Sequence, residues 1–425
     1  MRITILTAGT RGDTQPYVAL GAGLLQAGYQ VRLAAGKNYE SFVKQYGLEF
    51  YPFSADFANM MDSPQAQAVL DSENPIKMLM AQSKASQSIN LMMGQMLDDV
   101  WAACQGADAI LYSPGQPNAY FIARHLGIPC IQVNAVPMTP TRAQPAALFY
   151  AGPRLGGAYN LLTHAIFDQV FWQGFRPAIQ NFWRRTSETT KIPVTGPFRR
   201  QRAERQPILY GYSDHVLPRP GDWPDYAYIT GYWFVEEEPA WSPPDALVGF
   251  LRSGPPPVYI GFGSMGSKRK ALETTETMLK SLELSGQRGV LATGWHGLSQ
   301  NVQLPDSVFT VESVPHTWLF PQVAAVVHHG GAGTTAAGIR AGVPSIIVPH
   351  SVDQPMWGQR IAELGVGPQP IPRKQLTAER LAQAITATGD TAMRARAGAL
   401  GRQIRAENGV AKAVEILGKL LPQQK

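Results

Sequence analysis

The stretch Val326-Val327-His328-His329-Gly330-Gly331-Ala332-Gly333-Thr334-Thr335 restricts the folds open to this chain more than any other. Before it, Ala324 to Val327 is a short apolar run of the kind that forms a strand buried on both faces. After it, Ala336, Ala337, Ile339 and Ala341 belong to a helix expected to begin near Thr334, with Thr334 and Thr335 as N-cap residues. Strand, glycine-rich turn and helix start form a unit of α/β architecture. The glycines allow backbone N–H groups to approach a ligand closely. First-turn N–H groups lack helical partners, so the unit suits an anion, most often a phosphate. His329 is placed to add a cation or a neutral donor. From this stretch alone a plainer reading stays open, in which the glycines serve only close packing.

The start of the chain has the same plan. Arg2 to Thr7 reads as a strand, Ala8 to Gln15 as a loop, and Pro16 as the opening of an amphipathic helix through Gln26. Gly28 closes that helix and Gln30 to Ala34 is a second strand, giving a βαβ unit. Phe50–Phe53, Ala109–Tyr112, Cys130–Asn134, Ile208–Tyr212 and Tyr228–Gly231 read as further strands of a first domain, residues 1–235. Glu236-Glu237-Glu238-Pro239, Pro243-Pro244 and Pro255-Pro256-Pro257 mark a linker over 236–257. Strands at Val258–Phe262, Val290–Thr293, Phe309–Val311, Ala324–Val327 and Ser345–Val348 then begin a second domain, 258–405. Residues 406–425 read as a C-terminal helix able to pack back on the first domain.

Two helical insertions interrupt the first domain. Residues 59–101 include seven of the 13 methionines, whose side chains adapt to varied apolar partners. Residues 147–185 carry Phe149, Tyr150, Tyr159, Phe167, Phe171, Trp172, Phe175, Phe182 and Trp183. This aromatic density is expected to line an apolar cleft or touch a membrane surface. Ordinary core-facing helices are the alternative.

A chain of 425 residues with 44% hydrophobic and 16% charged residues can fill two such cores. The net charge of +6 is scattered in small knots, such as Arg199-Arg200-Gln201-Arg202 and Lys268-Arg269-Lys270. A nucleic-acid binder would carry a denser basic stripe interleaved with aromatics. The excess is compatible with weak attraction to an anionic membrane. Cys104 and Cys130 alone supply neither a disulfide framework nor a zinc site. The opening residues read as a first strand rather than a signal peptide, and no apolar run is long enough to span a membrane. The expectation is a cytoplasmic protein, with peripheral membrane contact allowed.

Gly261-Phe262-Gly263-Ser264-Met265-Gly266 matches the dinucleotide pattern G-x-G-x-x-G after a strand. The next strand ends in Thr293-Gly294-Trp295, without the carboxylate that would bind a ribose. NAD is therefore disfavoured, while the loop can still cradle a phosphate with the Ser264 hydroxyl as an added donor.

Val314-Pro315-His316, His328 to Thr335, Gly342-Val343-Pro344 and Asp353-Gln354-Pro355 together resemble the donor-binding signature of UDP-dependent glycosyltransferases with the GT-B fold, glycosyltransferase family 1. Gly9-Thr10-Arg11-Gly12-Asp13-Thr14-Gln15-Pro16 resembles the first loop of the sterol glucosyltransferases and of bacterial antibiotic glycosyltransferases. Trp357-Gly358, Glu363 to Gly367 and Pro370 to Leu381 are similar to the sterol branch. The resemblance implies two facing Rossmann-like domains with a cleft between them. It implies inverting transfer of a hexose, glucose first, from a UDP-sugar to a hydrophobic alcohol, a sterol 3β-hydroxyl first. A polyketide, glycopeptide or other lipid natural product is the second class of acceptor. It implies Asp13 as general base; the plainer reading of that residue is a helix cap. Gly12, Ser264, Val314, His316, His329, Gly331, Gly333 and Thr334 would hold the nucleotide and its diphosphate, and Asp353 and Gln354 the sugar hydroxyls.

The sequence has no Asp-x-Asp motif, so no metal and no other cofactor is expected; a helix N-terminus and His329 would stabilise the departing diphosphate. His328 is expected only to pack. The chain departs from the pattern at His350-Ser351-Val352, where sterol enzymes commonly have two aromatics and a glycine, and at Ser313, where plant relatives carry a tryptophan. The large accessory membrane-targeting domains of fungal sterol enzymes are not expected, so that membrane attachment would come from the aromatic insertion and nearby arginines. A UDP-sugar epimerase and a non-catalytic lipid-binding protein are alternatives on the same fold.

Overall fold

The computed structural model describes residues 1–54, 92–187, 190–236, 241–263, 271–294, 303–350 and 353–421. Most of the Met-rich insertion, Ser264 and the knot Lys268-Arg269-Lys270 lie outside the described residues.

Each half of the chain builds one sheet, and all the pairings are parallel. The first sheet contains β1 (Arg2–Leu6), β2 (Gln30–Gly36), β3 (Glu49–Phe53), β4 (Ala109–Tyr112), β5 (Cys130–Asn134), β6 (Ile208–Tyr210) and β7 (Ala227–Ile229). Its spatial order is β3-β2-β1-β4-β5-β6-β7. The second contains β8 (Val258–Gly261), β9 (Gly289–Ala292), β10 (Val308–Val311), β11 (Ala325–His328) and β12 (Ser345–Ile347), in the order β10-β9-β8-β11-β12. The central strands are apolar and buried along their length, as sheets covered by helices on both faces require; Ile3, Ile5 and Leu6 of β1 are fully buried. In both sheets the strand order reverses beside the domain's first strand, between β1 and β4 and between β8 and β11. Open α/β sheets bind ligands in the crevice at this reversal, outside the carboxyl ends of the strands.

Helix α1 spans Arg11–Gln26, so it starts five residues before the proline expected to open it. Thr10 is the N-cap, and the Asp13 carboxylate at the third helical position accepts the Thr10 backbone N–H at 2.7 Å. That cap stabilises the extra turn. Pro16 lies inside the helix and leaves the Gly12 carbonyl without its usual intrahelical donor.

The aromatic insertion is largely one 30-residue helix, α2 (Gly157–Thr186). Its largest aromatics do not line an open surface. Trp172, Phe182 and Trp183 are fully buried and pack with Phe121, Tyr120 and Val100 in the core of the first domain. Within the stretch read as a linker, Asp245–Arg252 is a helix whose Leu247 is fully buried against Tyr259, Val290 and Phe320 of the second domain.

In the second domain, α3 (Ala332–Ala341) begins two residues before Thr334, with Gly331 at the N-cap. The Gly342 backbone, at a φ of 75°, ends it in the left-handed conformation that glycine adopts cheaply. The helices that follow include α4 (Gln354–Glu363), α5 (Thr391–Ala406) and α6 (Gly409–Leu420), with a further helix at Ala378–Ala387 between α4 and α5.

The two sheets are joined by shared packing. Tyr150, Tyr210, Tyr212, Trp223 and Tyr232 of the first domain form one buried cluster with Ala336, Ile347, Trp357 and Ile404 of the second. Helix α6 crosses back to the first domain. Its Ala413 and Leu417 join the core built by Leu20, Leu24 and Ile3, and a β-carbon on Gly23 of α1 would lie 2.3 Å from the Val410 side chain.

Leu417 is fully buried at this crossing. Leu417→Ala is expected to cost about 2–5 kcal/mol in denaturant unfolding. A loss below about 0.5 kcal/mol, the level of surface substitutions, would show that α6 is not part of the first domain's core.

Candidate functional site

The carboxyl ends of β1 and β11 bring two helix starts together. A β-carbon on Gly333 of α3 would lie 3.9 Å from the Gly12 Cα and 4.0 Å from its carbonyl oxygen on α1. Both glycines are exposed to the cleft between the domains. The two distances are ordinary van der Waals separations, so the two helix starts meet across a narrow gap.

On the first-domain side, Asp13 is fixed by its own turn. Its Oδ2 accepts the Thr10 backbone N–H at 2.7 Å and the Thr10 hydroxyl at 2.9 Å. The Thr7 hydroxyl donates to the Asp13 carbonyl at 2.6 Å. Gly9 has a φ of 133°, and a β-carbon there would lie 2.4 Å from the Asp13 Oδ2. Only glycine leaves room for this carboxylate. The side chain reaches the water of the cleft, yet the walls around it are dense. Burial therefore raises the Asp13 pKa, and the two Thr10 hydrogen bonds that lower it do not compensate. A cap was expected to keep this group in a low range; desolvation wins instead.

On the second-domain side, β11 delivers two histidines with different surroundings. His328 is fully buried, and its Nδ1 accepts the Gly330 backbone N–H at 3.1 Å. It holds the turn. Gly330 has a φ of 91°, and a β-carbon on it would lie 2.6 Å from the Ile347 side chain. His329 is half-buried and points along the turn. A β-carbon on Gly331 would lie 2.5 Å from its Nε2, and its Nδ1 has no hydrogen-bond partner among the described residues. Burial lowers the His329 pKa to about 4. The ring is thus a neutral donor near neutral pH and not the cation that the sequence also allowed. By helix geometry the N–H groups of Ala332, Gly333 and Thr334 have no partner within α3. Thr334 therefore enters the site as a first-turn residue instead of as the N-cap.

His316 stacks on Phe320 with ring centroids 4.3 Å apart, and its Nε2 lies 3.5 Å from the Tyr259 hydroxyl. Burial lowers its pKa to about 4, with smaller contributions from Arg11 and His329. Val314 is buried in the same cluster, so its side chain faces the core.

Asp353 completes the cleft. Its Oδ2 accepts the Trp357 indole N–H at 2.8 Å. Burial pushes its pKa up to about 6, opposed by the Trp357 bond and assisted by the charge of Asp13. Two carboxylates from opposite domains therefore sense each other. The Gln354 Oε1 accepts the His350 backbone N–H at 2.7 Å, which braces the loop after β12. Among the described residues, no three His, Cys, Asp or Glu side chains gather as metal ligands.

The structure thus brings Gly12, Asp13, His329, Gly331, Gly333 and Asp353 to one cleft, with His316 behind His329 and Arg11. Gln354 lies mostly behind it, and Ser264 lies outside the described residues. Arg11 was not singled out in the sequence. Its guanidinium lies 4.7 Å over the Phe42 ring and its Nε donates to Gln15 at 3.2 Å. A basic residue in a helix's first turn, where a positive dipole end disfavours it, is the signal that could have marked it.

Residues 3–145 match the glycosyltransferase family 28 N-terminal domain. Residues 289–420 match the C-terminal domain of the erythromycin biosynthesis protein CIII-like family. The chain is 38% identical over 430 residues to a sterol 3-beta-glucosyltransferase of Neosartorya fischeri, covering 98% of this chain and 29% of that protein. It is 37% identical over 426 residues to a sterol 3-beta-glucosyltransferase of Candida albicans, covering 97% of this chain and 27% of that protein. The chain spans under a third of the length of these relatives. Among solved structures it is similar to the glycotransferase of kitacinnamycin, with a TM-score of 0.70, 21% identity and 99% of each chain covered. It is also similar to the calicheamicin glycosyltransferase, with a TM-score of 0.69, 17% identity and 99% of each chain covered. The glycosyltransferase VinC, solved with dTDP, has a TM-score of 0.64 at 19% identity, with 99% of each chain covered. With a family 28 N-terminal domain joined to a CIII-like C-terminal domain on two parallel sheets, the chain belongs to the glycosyltransferases of the GT-B fold.

Proposed function

We propose that this chain is a UDP-glycosyltransferase that moves a hexose, glucose first, onto the hydroxyl of an apolar alcohol, a sterol 3β-hydroxyl first. The observation that carries the reading is the approach of α1 to α3 through Gly12 and Gly333. It sets a carboxylate of one domain opposite an anion-binding helix start of the other. The named sterol relatives, aligned over almost all of this chain, support the acceptor class.

In this reading the donor diphosphate sits at the first turn of α3. Gly331, Gly333 and Thr334 offer backbone N–H groups there, and neutral His329 adds a hydrogen bond. Val314, through its backbone, and His316 bind the nucleotide, and Gly12 and Ser264 are counted with the residues that hold the nucleotide and its diphosphate. Asp353 and Gln354 bind sugar hydroxyls. The acceptor O–H gives its proton to Asp13 as its oxygen bonds to the anomeric carbon. The bond from that carbon to the phosphate oxygen breaks on the opposite face, so UDP departs and the sugar is inverted. A carboxyl whose pKa is raised by burial is a stronger base than an exposed one, provided that it remains ionised. No metal is assigned a role: the preorganised N–H groups face the charge that develops on the departing diphosphate.

A natural-product acceptor with a thymidine diphosphate donor is the second reading, favoured by the antibiotic glycosyltransferase neighbours and by the one solved with dTDP. Parallel assays with UDP-glucose and dTDP-glucose, each with a sterol and with a polyketide, separate the two. Release of a changed free sugar without any acceptor would instead identify an epimerase, and absence of donor turnover a binding protein.

Asp13→Asn is expected to lower turnover by about 10²–10⁴-fold while donor affinity stays within a fewfold of the parent. Near-normal turnover would remove Asp13 as the base. His329→Ala is expected to weaken UDP binding by roughly ten- to a hundredfold, the range for a hydrogen bond to a charged group. Calorimetry with unchanged affinity would place the diphosphate elsewhere.

The raised pKa of Asp353 has a measurable consequence without substrate. A carboxyl raised to about 6 binds its proton more tightly when folded than when unfolded. Its contribution to stability is complete below about pH 4 and is lost as pH rises through 6. Asp353→Asn abolishes that loss. The variant should gain about 1–3 kcal/mol on the parent between pH 4 and pH 8 in urea unfolding. A difference that does not vary with pH would contradict a desolvated carboxyl at this position.

A further inference from the structure

Large apolar side chains exposed on the described surface are concentrated in one place. Of the nine, Leu148, Leu155, Leu162, Ile166, Val170 and Val194 fall between residues 148 and 194. Leu162, Ile166 and Val170 follow one another at four-residue steps on α2, so they lie in one row along a single face. Their exposures are 55%, 41% and 64%. Val194 extends the row. The Trp172 indole and the Gln173 amide both donate to its carbonyl, at 3.1 and 2.8 Å, which fixes its segment against the same helix. The opposite side of α2 is anchored by Trp172, Phe182 and Trp183 in the core. The row is therefore a fixed outer face of a helix buried on its other side.

The charge around this face is mainly basic, although Asp222 accepts the Arg142 backbone N–H at 2.7 Å. Residues 142–205 contain ten Arg and Lys against three Asp and Glu, which exceeds the net +6 of the whole chain. Arg142 lies at the start of the row, where its carbonyl accepts the Asn160 amide at 2.8 Å. Lys191, Arg199 and Arg202 lie on the segment that follows Val194 or leads into it, and all are exposed. None of these four forms an ion pair among the described residues. Asp168, the one acidic residue of α2, has its pKa pushed up to about 7 by burial, against the opposing charge of Arg202, so near neutral pH it is only partly ionised.

We propose that the Leu162–Ile166–Val170 row of α2, with Val194 and its rim of Arg142, Lys191, Arg199 and Arg202, docks the protein on an anionic lipid bilayer. Aliphatic side chains enter the headgroup boundary while the basic rim meets lipid phosphates. The aromatics of the insertion have a different part: they hold the row in place from inside. The inference does not depend on the catalytic reading, because binding is measured without turnover.

The test is sedimentation with vesicles of phosphatidylcholine alone and of phosphatidylcholine mixed with phosphatidylglycerol. The parent chain should pellet with the mixed vesicles, less at raised ionic strength and little with the neutral ones. The triple variant Leu162→Gln, Ile166→Gln, Val170→Gln should bind the mixed vesicles at least about tenfold more weakly, with unchanged unfolding midpoint and UDP affinity. Lys191→Glu with Arg199→Glu and Arg202→Glu should abolish the preference for phosphatidylglycerol. Failure of the parent to pellet, equal binding to both vesicles, or undiminished binding by the triple variant would each overturn the proposal. So would a parent dimer that the triple variant dissolves, since the row would then belong to a second copy of this chain.

Discussion

The approach of two helix starts at Gly12 and Gly333 is the constraint on which the site depends. Each residue occupies the first turn of a helix, and each helix leaves its sheet where the strand order reverses. A β-carbon on Gly333 would meet the Gly12 Cα at 3.9 Å, an ordinary contact distance, so the two helix starts lie against each other across a narrow gap. The positive ends of two helix dipoles then face one cleft, an arrangement that is unfavourable unless something negative lies between them. Asp13 supplies part of that negative charge from within its own helix, and Asp353 part from the other domain. A bound diphosphate would supply the rest.

Desolvation explains the charge state of the cleft better than any single pair does. Burial raises the carboxyls of Asp13 and Asp353 and lowers His316, His328, His329 and His350. Every shift favours the neutral form. His316 and His329 are thus neutral near neutral pH and fixed dipoles surround them, while a carboxyl raised only to about 6, as in Asp353, keeps most of its charge there. Dipoles of this kind need no reorganisation when charge appears on a leaving group, which is why preorganised sites outperform water. A histidine held neutral still donates a hydrogen bond, so lowering its pKa does not remove it from this work.

The fold was legible because the strands are short apolar runs separated by glycine-rich turns, and such runs have few alternative uses. The strands of both sheets fall within a residue or two of where periodicity puts them. Helix starts were less legible. Pro16 and Thr334 carry strong local preferences for the first turn or the cap, yet α1 begins at Arg11 and α3 at Ala332. In α1 the carboxylate of Asp13 caps from inside the helix, a bond that requires a glycine at position 9 with positive φ. In α3 the cap is a glycine, which gives no side-chain signal at all. The direction of the Asp13 pKa shift is hidden from the sequence for a related reason. The cap is visible in sequence spacing, whereas the protein wall that outweighs it comes from residues far away in the chain. The aromatics of α2 illustrate the same limit: composition marks a helix rich in large apolar groups, but which groups face inward depends on Phe121, Val100 and Tyr120 in distant elements.

The two domains are not joined only by a flexible tether. Tyr210, Tyr212 and Trp223 pack in one cluster with Trp357, Ile361 and Ile404, and α6 returns to the core of the first sheet. Trp357 ties this cluster to the cleft, because its buried ring belongs to the interface while its indole N–H holds the Asp353 carboxylate. Relative motion of the domains would have to slide tightly interdigitated aromatic rings past one another, and packed interiors yield in discrete rearrangements rather than continuously. The distance between Asp13 and Asp353 is therefore set by core packing and not by the cleft itself. It follows that catalytic alignment, in the function proposed, depends on apolar residues that touch neither substrate. A buried interface of aromatics can hold two polar groups in register across a gap where a direct bond between them would block the ligand.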